Sequence, residues 1–287
     1  MPMAARYARV AAVRESMKGT RMQRTTRRIA IASQKGGVGK TTTAWNVAAG
    51  LTAKGRDVLV VDLDGQCHLT TGVLGAPPER GLWDVLMGNM TAEEAIVPGP
   101  EFALLSASEM LSRADYDLGG RPGRDFLLSR ALKGRRDPES GTRAPGVQDD
   151  YDYIILDCPP SLGIMTANAL AYASEVIVPV TPGLFAVSGL GMLGSVIAET
   201  IDAGVNEDLG IAGILLTQYE GGTGLHRSIA SAVEEQFPGL LYPLAIRKNV
   251  AIGEAHAEGR SVLSYAPKSH GAADYTELVE HLIRQEG

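Results

Sequence analysis

The sequence predicts an α/β fold: a doubly wound, mostly parallel sheet with helices on both faces, built as a single domain. Three observations predict it. Short runs rich in Val, Ile and Leu alternate with longer helical stretches from residue 28 onward, the order of βαβ units around a buried parallel sheet. The composition is 45% hydrophobic but only 5% aromatic, with 34 glycines, which suits close helix-on-sheet packing. The length of 287 residues is enough to bury one substantial core, and an α/β domain can use all of it.

The predicted strands cover residues 28–33, 57–62, 102–106, 153–157, 176–180, 211–217 and 241–246. Between them the helical stretches cover residues 41–54, 81–87, 162–172, 186–203, 225–236 and 274–284. Gly55, directly after Lys54, reads as a helix C-cap. Residues 133–150 are polar, contain Gly and Pro and have no period, so they are expected to form an exposed loop within the domain. No internal repeat is visible. The expected organisation is a basic, flexible N-terminal arm over residues 1–27 and one domain over 28–287.

Several classes of protein are disfavoured. The two cysteines, Cys67 and Cys158, lie far apart and in no metal-ligand spacing, so a disulfide framework is not expected and a reducing cytoplasm is the simple reading. No stretch approaches the roughly 18 apolar residues of a membrane span, and no signal-peptide core is present at the N-terminus. The net charge of −6 is unevenly spread. Residues 1–28 carry Arg6, Arg9, Arg14, Lys18, Arg21, Arg24, Arg27 and Arg28 against Glu15 alone. A basic arm on an acidic body can attract nucleic acid or an anionic surface. A solvated extension, or a start at Met22, is the plain alternative.

The densest chemistry lies at Gln34-Lys35-Gly36-Gly37-Val38-Gly39-Lys40-Thr41-Thr42, after the run RIAIAS and at the opening of a helix. That context is the one a phosphate-binding loop requires. Glycines let backbone N–H groups converge on phosphate oxygens, and the helix N-terminus adds partial positive charge. Lys40 is placed to reach the β- and γ-phosphates of a nucleotide, and Thr41 to ligate Mg²⁺. Two acidic clusters stand at strand ends: Asp62 and Asp64 close VLVVDLD, and Asp157 closes YIILD before Cys158-Pro159-Pro160. Ligand groups collect at the carboxyl ends of strands in open α/β sheets. An aspartate there can hold Mg²⁺, directly or through water, and another can orient the attacking water. Such aspartates are also ordinary N-caps of the following helix.

KGGVGKTT, VDLD with Gln66 and Thr70 behind it, DCPPSLG and RKNVAIGEAHAEG…SYAPKSHGA together resemble the ParA/Soj partition ATPases, in the deviant Walker A class that also contains MinD. The resemblance runs in order from about residue 28 to 284. It implies ATP and Mg²⁺ as cofactors, an ATP-sandwich homodimer, and slow hydrolysis stimulated by a ParB-like activator or cargo adaptor. It implies that Lys35 crosses to the phosphates of the opposite protomer, that Asp64 assists hydrolysis, that Asp157 is the Walker B position and that Asp62 begins the first switch. Metal ligation is then expected from Thr41, Asp62 and Asp157, partly through water, and nucleotide contact from residues 35–42. Gln218, Ile246, Arg247 and Lys248 match segments that border the adenine in that family.

Departures from the family pattern are equally specific. Where the family usually reads Pro-Gln-Gly-Asn after the Asp64 position, this chain has Gly65-Gln66-Cys67-His68. Two arginines that many Soj-like proteins use for non-specific DNA binding align with Gly222 and Ala251. Substitute DNA contacts are expected from Arg21, Arg24, Arg27, Arg28, Lys248 and Lys268, with Arg247, Arg260 and His270 as further cations. The resemblance leaves three alternatives: a MinD-like membrane-cycling ATPase, disfavoured because TELVEHLIRQEG is short and not basic; a redox or metal-delivery relative such as the nitrogenase iron protein, disfavoured because Cys158 lies inside the switch motif and Cys67 just after the Asp pair; and an ATP-binding scaffold with little turnover. The expected location is cytoplasmic, at the nucleoid when DNA is bound.

Overall fold

Side chains of the central strands divide between two cores by simple alternation. Ile29 and Ile31 face one layer of helices while Ala30 and Ala32 face the other; Val58 and Val60 against Leu59 and Val61, and Tyr153 and Ile155 against Ile154 and Leu156, divide the same way. A strand hydrophobic on both faces has to be covered on both. The structure, a computed structural model, describes residues 25–134, 144–183 and 186–286.

The strands are β1 (Arg27–Ile31), β2 (Val58–Asp62), β3 (Ile96–Pro98), β4 (Ala103–Leu105), β5 (Tyr153–Asp157), β6 (Glu175–Val180), β7 (Gly210–Tyr219) and β8 (Leu241–Arg247). The helices are α1 (Lys40–Ala53), α2 (His68–Leu74), α3 (Leu82–Met87), α4 (Ala92–Ala95), α5 (Ala114–Asp117), α6 (Leu127–Leu132), α7 (Ile164–Tyr172), α8 (Ala186–Asp202), α9 (Gly224–Gln236), α10 (Val250–Ala257), α11 (Val262–Tyr265) and α12 (His270–Arg284). One eight-stranded sheet runs in the order β3-β4-β2-β5-β1-β6-β7-β8. All of its pairings are parallel except β3 with β4. The predicted doubly wound sheet is therefore observed, with helices on both faces.

The register positions the site. Asp157 lies opposite Asp62 on one side and Ile31 on the other, so three strand ends finish level with one another. β1 sits between β5 and β6, and the loop leaving it emerges where the winding reverses. Gly55 carries φ +80° after α1, the left-handed conformation a C-terminal glycine supplies.

Three expectations are corrected. The arm ends earlier than expected, because Arg27 already pairs with Tyr153 in β1. Its guanidinium makes a bidentate ion pair with Glu175 at 2.7 and 2.8 Å and donates to the Leu282 carbonyl. Arg28 donates to the Tyr172 carbonyl at 2.8 Å and stacks over that ring. Both cations are occupied by the fold and are not arm contacts for DNA. The three-residue edge strand β3 was not anticipated; it is antiparallel, and Pro98 closes it. Only part of the expected loop over 133–150 lies among the described residues: Val147 and Gln148 are buried while Asp149 and Asp150 are exposed, and the Thr26 hydroxyl donates to the carbonyls of Gln148 and Tyr151. Arg21 and Arg24 lie outside the described residues.

Candidate functional site

Between β1 and α1 the chain makes a loop that only glycine allows at two points, Gly37 at φ +73° and Gly39 at φ +84°. Gly39 is the N-cap of α1 and has no side chain to satisfy the first N–H groups of the helix, which are left for an anion. The two lysines of the loop point to different fates. Lys40 is 7% exposed, its ammonium donates to the Lys35 carbonyl at 3.1 Å, and burial lowers its pKa against the opposing pull of Asp157. Lys35 is exposed, and no carboxylate pairs with it among the described residues.

The carboxylates at the strand ends are not equivalent. Asp62 Oδ2 accepts from the backbone N–H and the hydroxyl of Thr70 at 3.0 and 2.7 Å, and Oδ1 accepts from the Asp64 N–H at 3.1 Å. It anchors the loop after β2, and burial pushes its carboxyl up to about 6. Asp157 is also buried, but neither of its oxygens makes a hydrogen bond of ordinary geometry. Burial, and then the neighbouring Asp62, raise its pKa well above the carboxylate range, while the Thr41 hydroxyl and Lys40 pull the other way. A buried carboxylate left open beside a threonine hydroxyl and a phosphate loop fits a hard divalent cation. Of the expected ligands, Thr41 and Asp157 stand beside each other, while Asp62 already accepts three hydrogen bonds from the loop that follows it. Asp64 Oδ1 accepts from the Gln66 N–H at 3.0 Å and holds the turn after the strand.

The end of β7 clamps the loop from the far side. Thr217 Oγ1 donates to the Val38 carbonyl at 2.8 Å and lies 3.3 Å from Thr181 Oγ1. Gln218 Nε2 donates to the Gly37 carbonyl at 2.8 Å, from a backbone at φ +50°. Thr217 and Thr181 were missed by sequence reasoning; their only signal is a hydroxyl at the carboxyl end of a predicted strand. β8 brings residues 246–248 alongside, with Tyr219 opposite Arg247. Ile246 is buried, Arg247 is held by Asp274 through its backbone N–H and guanidinium, and Lys248 pairs with Glu220 at 2.9 Å. Arg260 stacks on Tyr265 and donates to the Ser264 carbonyl, while Lys268 and His270 are exposed. Within the expected substitute cation patch, Arg247 and Lys248 are therefore paired with carboxylates, while Arg260, Lys268 and His270 have no carboxylate partner among the described residues. Gly222 is exposed and Ala251 half-buried.

Cys67 has φ +54° in the turn after Asp64, the conformation a glycine would adopt more readily, and its thiol is pushed up to about 11 by burial. No group of three or more His, Cys, Asp or Glu side chains that could hold a metal occurs among the described residues.

The AAA domain family matches residues 26–211. The chain is 39% identical over 258 residues to the chromosome-partitioning ATPase Soj of Thermus thermophilus, covering 90% of this chain and 95% of that protein. It is 37% identical over 262 residues to the chromosome partitioning protein ParA of Caulobacter vibrioides, covering 90% and 94%. Among solved structures, a Mycobacterium smegmatis chain described as cobyrinic acid a,c-diamide synthase with bound ADP and magnesium is 34% identical, with TM-score 0.74 over 91% of this chain and 95% of that one. MinD of Pyrococcus horikoshii with Mg-ADP is 25% identical, with TM-score 0.70 over 92% and 98%.

Proposed function

This chain belongs to the ParA/Soj family of partition ATPases, and on that premise we propose that it is an ATP-driven dimerising switch for DNA partition or cargo positioning. The observation that carries the reading is the contrast between the two lysines of one loop. Lys40 is drawn in toward the site of its own nucleotide, whereas Lys35 is exposed with no carboxylate partner among the described residues. An outward ammonium at the mouth of a phosphate site is satisfied by the phosphates of a nucleotide held in a second copy. Dimerisation is then favoured with ATP and lost when the γ-phosphate leaves.

The residues divide the work as follows. Lys40 and the backbone N–H groups of residues 36–42 hold the phosphates. Thr41 and Asp157 hold Mg²⁺, which neutralises phosphate charge when bound. Asp64 orients water for attack, and Lys35 stabilises charge in the opposite site. Asp64 alone is assigned to the attacking water, so turnover is slow until a ParB-like activator or cargo adaptor completes the site. The protein works in the cytoplasm, at the nucleoid where DNA is its track. No helix among the described residues is long and apolar enough to cross a membrane.

Sedimentation with and without ATP tests the switch. Lys35→Ala is expected to bind ATP and stay monomeric, Lys40→Ala to lose ATP binding, and Asp64→Ala to remain dimeric with ATP. A Lys35→Ala protein that dimerises like wild type removes the cross-protomer role.

A further inference from the structure

Residues 109–117 touch both loops that carry the strand-end aspartates. On one side Gly65, the residue after Asp64, packs against Ser112 so closely that a Cβ at 65 would collide with the Ser112 backbone nitrogen. On the other side Asp115 Oδ1 accepts a hydrogen bond from the Ile164 N–H at 2.6 Å. Ile164 opens α7, whose N-cap is Gly163 and therefore brings no capping side chain of its own. Asp115 is a remote cap: its negative charge sits at the positive end of a nine-residue helix. The space a side chain at 163 would need is filled by the same carboxylate. The chain just before this segment is tied to the first loop as well, since the Ala107 N–H donates at 2.9 Å to the Thr70 hydroxyl that also holds Asp62.

The loop from Cys158 to Gly163 is consequently pinned at both ends. The sheet holds Asp157, and Asp115 holds Ile164. We infer that residues 109–117 form a brace linking the Asp64 loop to the Asp157 loop, with Asp115 as a positioning residue for ATP hydrolysis. The inference rests on the ATPase reading above. Asp115 does not touch the nucleotide site; it fixes the angle at which the second loop leaves β5. Ground-state binding by Lys40 and the phosphate loop does not pass through this contact, so its loss should fall on turnover and not on affinity.

The test compares wild type, Asp115→Ala, Asp115→Asn and Gly163→Ala in Mg·ATP calorimetry and steady-state hydrolysis. Asp115→Ala is expected to keep its ATP affinity within about twofold and lose roughly tenfold or more in kcat, as misplacement of a reacting group does. Asp115→Asn keeps an oxygen that can accept from the Ile164 N–H and is expected to recover to within about threefold of wild type. Gly163→Ala displaces the carboxylate without removing it, and is expected to resemble Asp115→Ala; it decides the question if Asp115→Ala does not fold. Unchanged kcat in Asp115→Ala, equal loss in the alanine and asparagine variants, or a loss confined to KM would overturn the brace. Wild-type protein that binds Mg·ATP and never turns it over would overturn the ATPase reading and the brace together.

Discussion

Asp62 and Asp157 stand side by side at the ends of adjacent strands, both buried, with raised pKa values. Without a cation the pair costs stability. A carboxyl whose folded pKa lies above its unfolded value binds more protons in the folded state, so stability falls as pH rises through that window. For Asp62 the window runs from the ordinary value of 3.8 to about 6, and the penalty is fully present above it. A shift of this size is worth on the order of 3 kcal/mol at most. Asp157→Asn removes one of the two charges and is expected to stabilise the nucleotide-free protein by about 1–3 kcal/mol at pH 7.5. The gain should shrink at pH 5. Urea unfolding of both proteins at the two pH values measures this, and an Asp157→Asn protein less stable than wild type at pH 7.5 would contradict it.

At the scale of the element, the phosphate loop owes its shape to β7 as much as to its glycines. Thr217 and Gln218 each donate to a loop carbonyl, of Val38 and Gly37 respectively, which would otherwise be free to turn. Thr217 is 2% exposed, so Thr217→Val preserves its volume while leaving the Val38 carbonyl without its donor. The expected cost is about 1–2 kcal/mol in unfolding free energy. A loosened loop should also bind ATP about fivefold more weakly, since one kcal/mol corresponds to roughly that factor. Calorimetry with Mg·ATP checks it; equal affinity would mean that the glycines alone shape the loop.

For the whole molecule, the question is where DNA could be held. Arg27 and Arg28 are built into β1 and α7 contacts, while Arg247, Lys248 and Arg260 are engaged on the surface. Of the eight cations in residues 1–28, the six up to Arg24 lie outside the described residues. We expect ATP-dependent, sequence-independent duplex binding to rest on residues 1–24, with affinity that falls steeply with salt, because the counterions released on binding gain less free energy as bulk salt rises. Deleting residues 1–24 should remove most of the affinity and flatten the salt dependence, whereas Lys248→Ala and Lys268→Ala should matter less. Titration of labelled duplex at two salt concentrations tests this. Unchanged binding by the truncated protein would place the DNA site on the folded surface.

What the sequence determined by itself was whatever depends on neighbours along the chain. Glycine spacing before a helix marked the phosphate loop, apolar runs marked the central strands, and each strand-end aspartate was visible from the run preceding it. These signals are local, because a strand needs only its own apolar residues and a tight loop its own glycines. Tertiary structure alone decided which of those groups were open. Asp62 and Asp157 look alike in sequence, yet Thr70 holds the first through two hydrogen bonds, while among the described residues the second makes no hydrogen bond of ordinary geometry. Arg27 and Arg28 read as free cations for DNA until Glu175 and Tyr172, distant in sequence, took them into the fold. Thr217 and Asp115 act on loops far from them in sequence, through pairings set by strand order and helix packing. Hydrogen-bond partners at such separations follow from where the chain returns, and no periodicity or propensity encodes that return.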